Sequence, residues 1–199
     1  MIRLSKDVIN YPDALDVMND HVVRRDEFIW LLRHQPVFTK GVRSNMISDL
    51  PHPYYMVNRG GQWTFHDPGQ LIIYYVLDLK KRQWTFSDFL DYIQKFGCFF
   101  LNTLSIQCIN GPQPGFWATH QGKIKKIGSL GVQVKNGMTL HGIAINHTID
   151  QNALSHITPC GLDHSIISSL EELGYSHSMD DLMKDAYRKI SKHALDFLS

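Results

Sequence analysis

The sequence lacks most of the features that mark export, metal binding or membrane insertion. Three cysteines, Cys98, Cys108 and Cys160, are odd in number and form no C-x-x-C pair, which argues against a disulfide framework and for a reducing compartment. Eleven histidines are present, but none stands in an H-E-x-x-H arrangement or pairs with cysteine at zinc-finger spacing. They read as surface or packing residues, and no metal site is expected. The longest apolar run, Leu71 to Leu77, is far too short to cross a bilayer. The opening Met-Ile-Arg-Leu-Ser-Lys-Asp has no apolar core of a secretion signal, so a soluble, cytoplasmic protein is expected. A net charge of +1 excludes a strongly basic nucleic-acid binder. Lys80-Lys81-Arg82, and Lys123 with Lys125 and Lys126, remain as short basic clusters, which are usually solvated surface. There is no internal repeat and no low-complexity tract.

What remains is a chain that is 43% hydrophobic and long enough for one sizeable core, so residues 1–199 are expected to form a single domain. Pro12 to Arg25 carries Leu15, Met18 and Val22 at helical spacing behind an early proline and is predicted helical. Strands are predicted over Phe28 to Leu32, Tyr54 to Val57 and, after the Pro68-Gly69 turn, Gln70 to Leu79. Ser87 is the expected cap of a helix bearing Phe89, Leu90, Ile93, Phe96 and Phe100. Beyond a Gly/Pro loop at 111–115, strands are predicted over Phe116 to Thr119, Lys126 to Val134 and Met138 to Ile149, the last two joined by the Asn136-Gly137 hairpin turn. Ser165 to Leu173 reads as a helix stopped by Gly174, and Ser178 with Asp181 opens a terminal helix reaching about Leu198. Strands and helices interleave without regular βαβ alternation, which gives an α+β class: a mixed, largely antiparallel sheet flanked by helices.

Three segments carry chemistry. Arg59-Gly60-Gly61-Gln62-Trp63-Thr64-Phe65-His66 packs a cation, two adjacent glycines, aromatics and a titratable ring into a turn. Backbone can approach a ligand where a Cβ would collide, so the mixture suits a pocket as well as a glycine-rich hairpin. Lys126-Ile127-Gly128-Ser129-Leu130-Gly131 faces Leu140 to Asn146 across the hairpin. Strand alternation puts Ser129 and Gly131 on one face and Gly142 and Ala144 on one face of the partner. Small residues on both strands are explained more economically by a channel than by a bulge. Third, Cys160 sits between Pro159, which fixes φ, and Gly161, which permits a sharp turn, so its thiol is presented. Cys98 and Cys108 lie in apolar patterns and read as core residues. An unperturbed thiol, with a pKa of about 8.5, is mostly protonated at neutral pH, so a nucleophilic Cys160 needs a neighbouring cation or base. Lys126, His66 and His141 are the candidates.

Together these segments resemble the lipoyl(octanoyl) transferases. The likeness starts near Leu31-Leu32-Arg33-His34-Gln35-Pro36-Val37-Phe38-Thr39 and continues in order through the segments above. It implies the fold of biotin and lipoate protein ligase catalytic domains. It also implies transfer of an octanoyl group from octanoyl-acyl carrier protein to a lysine of lipoyl domains, those of 2-oxoacid dehydrogenases and the glycine cleavage H protein. By the same resemblance Cys160 carries the acyl thioester and Lys126 lowers the thiol pKa. Acyl-binding positions carry over to Arg59, Gly60, Gly61, Gln62, Trp63, Thr64, Phe65 and His66, to Ser129, Leu130 and Gly131, and to Gly142, Ile143 and Ala144. No cofactor, metal or nucleotide is implied. Two departures stand out: Asp67 replaces a usual glycine, giving the His-Asp of lipoate ligases, and Arg33 replaces a usual glutamate. An ATP-dependent lipoate or biotin ligase, a silent acyl-binding module and a Cys/His hydrolase are the alternatives. A ligase activates its acid with ATP and needs no thiol, so Cys160 separates it from a transferase.

Overall fold

The computed structural model describes residues 1–42, 44–47 and 49–193, with Cys160 and His193 described by their backbone alone. A six-stranded sheet has the order β1 (Ile2–Ile9), β2 (Phe28–His34), β6 (Gln70–Val76), β9 (Met138–Asn146), β8 (Lys123–Lys135) and β7 (Phe116–His120). The β1–β2 pair is parallel and all the other pairs are antiparallel. A second, three-stranded sheet places β3 (Val37–Lys40) between β4 (Tyr54–Met56) and β5 (Trp63–His66).

Both β6 and β9 are buried along their whole length because helices cover both faces. On one face, α2 (Phe86–Thr103) brings Phe89, Ile93, Phe96 and Phe100 onto Ile73, Tyr75, Ile143 and Ile145. The same core takes Leu182, Met183, Ala186 and Ile190 of α4 (Met179–His193). On the other face α1 (Tyr11–Arg24) lays Ala14, Met18 and Val22 against Trp30, Leu32, Ile72 and Leu140. The small sheet packs Phe38, Trp63 and Phe65 on Leu154 of α3 (Gln151–Ser155) and on Ile157 and Ile167. Among the described residues, no helix is long and apolar enough to cross a membrane.

Several sequence expectations need correction. The cap of α2 is Thr85, not Ser87: Thr85 and Asp88 form a reciprocal capping box, and two satisfied N–H groups outweigh the one a later serine offers. Ser165 to Leu173 is not a helix. A short 3₁₀ turn, His164–Ile166, gives way to extended backbone at Ile167, which pairs with Lys126, and that pairing withdraws the segment from helix. Gly174, at φ +94°, still ends a tight turn there. The Arg59–His66 segment is only partly a turn, since Trp63–His66 is strand β5. The Asn136-Gly137 turn and the Ser178–Asp181 start of α4 are as expected, and the end of the predicted terminal helix, 194–198, lies outside the described residues. Cys98 and Cys108 are joined by a disulfide across a Cα separation of 5.2 Å. The chain folds back after α2, through a turn at Leu104–Ile106 that sequence spacing does not reveal, so an odd cysteine count without a C-x-x-C pair does not exclude a bridge.

Gly142 is demanded by close approach as much as by any channel. A Cβ there would stand 2.1 Å from the Ile73 carbonyl oxygen and 2.9 Å from the Tyr75 ring. Gly142→Ala is expected to cost about 2 kcal/mol, read as a fall of roughly 4–8 °C in melting temperature.

Candidate active site

The hairpin register sets Ser129 opposite Ala144 and Gly131 opposite Gly142, so the small residues do share one face. Above them β5 presents Thr64 and His66, the half-buried positions of a strand whose Trp63 and Phe65 are buried on the other side. The resulting cleft holds about 520 Å³ of space between atoms, part of it open to solvent. Of the residues expected from sequence, Arg59, Gly60, Gly61, Thr64, His66, Ser129, Leu130, Gly131, Gly142, Ile143 and Ala144 line it. Trp63 and Phe65 do not; they belong to the small core beneath. Gln62 stands outside the lining, with its amide 3.2 Å from where a Cβ of Gly161 would sit. Tyr11, Ile72, Tyr74 and His141 complete the wall and were not singled out as ligand-binding positions. Their signal in sequence is faint: each is a polar or bulky group in an otherwise apolar run, and they meet only through tertiary structure.

Arg59 is buried and folds over Gly131, donating to the Thr39 carbonyl at 3.1 Å, the Thr39 hydroxyl at 2.7 Å and the Gly60 carbonyl at 3.0 Å. Its charge therefore serves to fix the glycine loop. A directional polar chain fixes His66. The Ser168 carbonyl can only accept, so Asn146 Nδ2 donates to it at 2.9 Å. Asn146 Oδ1 then accepts from Gln70 Nε2 at 3.0 Å, and Gln70 Oε1 must accept from His66 Nδ1–H at 2.8 Å. The His66 Nε2 lone pair is left toward the cavity. His34 is oriented the same way, with Nδ1–H on the Ile9 carbonyl and Nε2 accepting from the Tyr74 hydroxyl at 2.8 Å.

Burial, joined by the charges of His34, Arg59 and His141, pushes His66 down to about 3. Burial first, then Arg59 and His34, lowers His141 to about 3, and burial lowers His34 to about 4 against its bond to Ile9. All three rings are neutral at physiological pH. Because unfolded histidine titrates near 6.5, the unfolded chain binds more protons below that pH. The stabilisation from the fully buried His34 and His141 is present above about 6.5 and is lost as pH falls toward 4, by about 1.4 kcal/mol per pH unit for each ring. Denaturant titrations from pH 7 to 4.5 are expected to show this slope, and His141→Gln to remove about one proton's share of it.

Lys126 is 2% exposed, with its ammonium 5.5 Å from the centre of the Trp117 ring. Strict alternation would turn Lys126 away from Ser129 and Gly131. A register shift between Phe116 and Trp117 restores it: Trp117 pairs with Lys126 and Phe116 with Gly128, so the chain bulges at Ile127. The Cys160 backbone lies in the 3₁₀ turn Pro159–Gly161, which packs against β5, and Gly161 needs its freedom at φ +74°. Farther along, Ser168 donates its N–H to the Lys126 carbonyl at 2.9 Å. The stretch from the cysteine turn to Ser168 thus runs from β5 to the lysine strand.

The departures lie outside the cavity. Asp67 accepts from Gly69 N–H at 2.8 Å and from Asp150 N–H at 3.4 Å, an Asx-type turn that also steadies the start of α3, and burial raises its pKa. Arg33 donates to the Lys6 carbonyl across the β1–β2 pair. Among the described residues, no group of His, Cys, Asp and Glu is placed to hold a metal ion.

A mixed sheet with a glycine-loop cavity on one side of a buried lysine strand defines the catalytic-domain class of the lipoate-protein ligases. Residues 14–191 match the model of the lipoyl protein ligase A/B catalytic domain, and the chain belongs to that family. An octanoyltransferase of Wolbachia pipientis wMel is 35% identical, covering 94% of this chain and 97% of the relative. One from Paramagnetospirillum magneticum is 32% identical, covering 90% of each. Among solved structures, the bipartite lipoate protein ligase of Thermoplasma acidophilum has a TM-score of 0.71 at 15% identity over 97% of this chain and 83% of its own. A lipoate-protein ligase A bound with ATP gives 0.70 at 15% identity over 97% and 85%. At such identities the solved structures speak for the fold alone.

Proposed function

We propose that the chain transfers an octanoyl group from octanoyl-acyl carrier protein to the ε-amine of a lipoyl-domain lysine, through a thioester on Cys160. One observation carries this reading: Lys126 is buried on β8, three residues before the Ser129 that lines the cavity though not itself in the lining, and, among the described residues, has no carboxylate partner. Burying an amine without a counter-ion is costly, and a site that does so has a use for it. Of the three candidates to activate the thiol, His66 and His141, lowered to about 3, carry no charge at neutral pH and are too weakly basic to take the thiol's proton, which leaves Lys126.

In the first half-reaction the Cys160 thiolate attacks the donor's thioester carbonyl. A new C–S bond forms, the donor's C–S bond breaks, and the departing thiolate takes a proton from the Lys126 ammonium, so the donor leaves as a thiol and Lys126 is left as a neutral amine. Exchange of one thioester for another is close to isoenergetic. In the second, the acceptor amine attacks the acyl-enzyme. It arrives as an ammonium and must lose a proton before it can attack, and Lys126 takes that proton. A second proton leaves to solvent as the C–N bond forms and thiolate departs. Amide formation from a thioester drives this step. Along β8, away from Lys126, the cavity ends against Tyr11, Tyr74 and His141, a wall that limits chain length. A wall is needed because each buried methylene adds about 0.8 kcal/mol, so apolar contact alone favours longer chains.

The rival reading is an ATP-dependent ligase. Octanoyl transfer to a lipoyl domain is expected to proceed from the octanoyl carrier protein with no nucleotide present, as read by the mass of the acceptor. Modification only with ATP and free octanoate, with release of pyrophosphate, would establish the ligase instead.

A further inference from the structure

The geometry points to Gln94 as a positioning residue that holds the backbone wall against which the Lys126 amine rests. This inference rests on the reading of Lys126 given above. Gln94, on α2, uses both ends of its amide on a single residue: Nε2 donates to the Gly115 carbonyl at 2.9 Å, and Oε1 accepts from the Gly115 N–H at 3.3 Å. Gly115 is in turn the surface beneath the lysine. A Cβ added there would lie 2.9 Å from Lys126 Cε and 3.4 Å from Nζ, and φ is +132°, so only glycine fits on both counts. The lysine tip is thus held between the Gly115 backbone and the Trp117 ring.

That wall is anchored on one side, where buried Gly115 leads into β7 and Gly111 packs against the Trp117 ring, and is open on the other. The segment Ile109–Gly115 carries two prolines and two glycines. Its outer side borders an open cleft of about 880 Å³, shared with Leu90, Asp91 and Leu130, and is not packed against core. Trp117 Nε1 donates to the Gln113 carbonyl at 2.9 Å, and Ile109 N–H to the Trp117 carbonyl at 2.9 Å, which tie the loop to β7. Among the described residues, the Gln94 pair is what ties Gly115 to α2 by hydrogen bonds. Without it, Gly115 can shift toward the cleft and the lysine loses one wall. Misplacement of a reacting group by about 1 Å costs up to about a hundredfold in rate.

The test compares Gln94→Met, Lys126→Ala and the double variant in steady-state transfer from octanoyl-acyl carrier protein to a lipoyl domain. Gln94→Met keeps the side-chain length and removes both hydrogen bonds to Gly115, together with the long one from Nε2 to Cys98 Sγ at 3.6 Å. It is expected to lower kcat between about tenfold and a hundredfold with KM for the donor unchanged. In the Lys126→Ala background it is expected to have no further effect, because the group it positions is gone. A Gln94→Met enzyme with full kcat, while Lys126→Ala is impaired, overturns the inference alone. An equal loss in both backgrounds also overturns it, since the glutamine then acts independently of the lysine. A fully active Lys126→Ala overturns the reading of the lysine and this inference with it. Should Gln94→Met fold poorly, Gly115→Ala, whose Cβ presses directly on the lysine stem, must show the same dependence on Lys126.

Discussion

Replacing Cys160 with alanine is expected to reduce octanoyl transfer by at least about a thousandfold, the scale on which loss of a covalent nucleophile acts. On the proposed mechanism the donor and the acceptor are both proteins that engage in turn, so the acyl group needs a holder between visits. The turn is built for such a role. Pro159 fixes its entry, Gly161 permits φ +74°, and Gln62 stands where a side chain at 161 would go. Steady-state transfer to a purified lipoyl domain checks it. Cys160→Ser is expected to be nearly as poor, because an alcohol is a far weaker nucleophile at neutral pH than the thiolate the proposed mechanism requires.

Loss of the lysine amine is expected to be second in size. Lys126→Ala should lower kcat by about 10²–10⁴ at neutral pH, the usual worth of a positioned acid or base. It should also regain part of its rate as pH rises. The sign follows from the chemistry: without the cation the thiol deprotonates nearer its ordinary pKa of about 8.5, so alkaline solution restores thiolate that the lysine otherwise supplies. Acyl-enzyme formation measured from pH 6.5 to 9.5 separates this from simple misfolding, which alkali does not repair. The Cys160→Ala and Lys126→Ala effects are expected to be strongly non-additive, since the two groups act as a unit. Unchanged activity in Lys126→Ala would remove the lysine from the mechanism.

The fold was legible where local chemistry fixes it. Asn136 and Gly137 adopt the positive φ that a tight hairpin needs, and the hairpin alone sets Ser129 against Ala144 and Gly131 against Gly142. The continuous apolar runs of β6 and β9 announce strands buried on both faces. Where polar and apolar residues mix, the sequence was silent. β1, with Arg3, Ser5, Lys6 and Asp7 among its residues, reads as a loop until β2 is there to pair with it. Trp63–His66 looks like part of a glycine turn because two glycines precede it, yet its two faces differ sharply, with aromatics down and Thr64 and His66 up.

The same division runs through the site. The glycine loop, the lysine strand and the cysteine turn each carry a local signature. The orientation of His66 does not, because Gln70, Asn146 and Ser168 come from separate elements and are joined only by hydrogen bonds across the fold. The facing of Lys126 depends on a bulge that strict alternation contradicts. Tyr11 and His141 stack as parallel rings 6.4 Å apart, although α1 and β9 contribute them from positions far apart in the sequence.

Intact-mass analysis after mixing the protein with octanoyl-acyl carrier protein, with no acceptor present, addresses the thioester most directly. One octanoyl group should appear on the chain, map to Cys160, vanish with hydroxylamine and pass to a lipoyl-domain lysine when that domain is added. A Cys160→Ala protein that still modifies the acceptor at the full rate, with no acyl group ever held on the enzyme, would contradict covalent transfer through this residue.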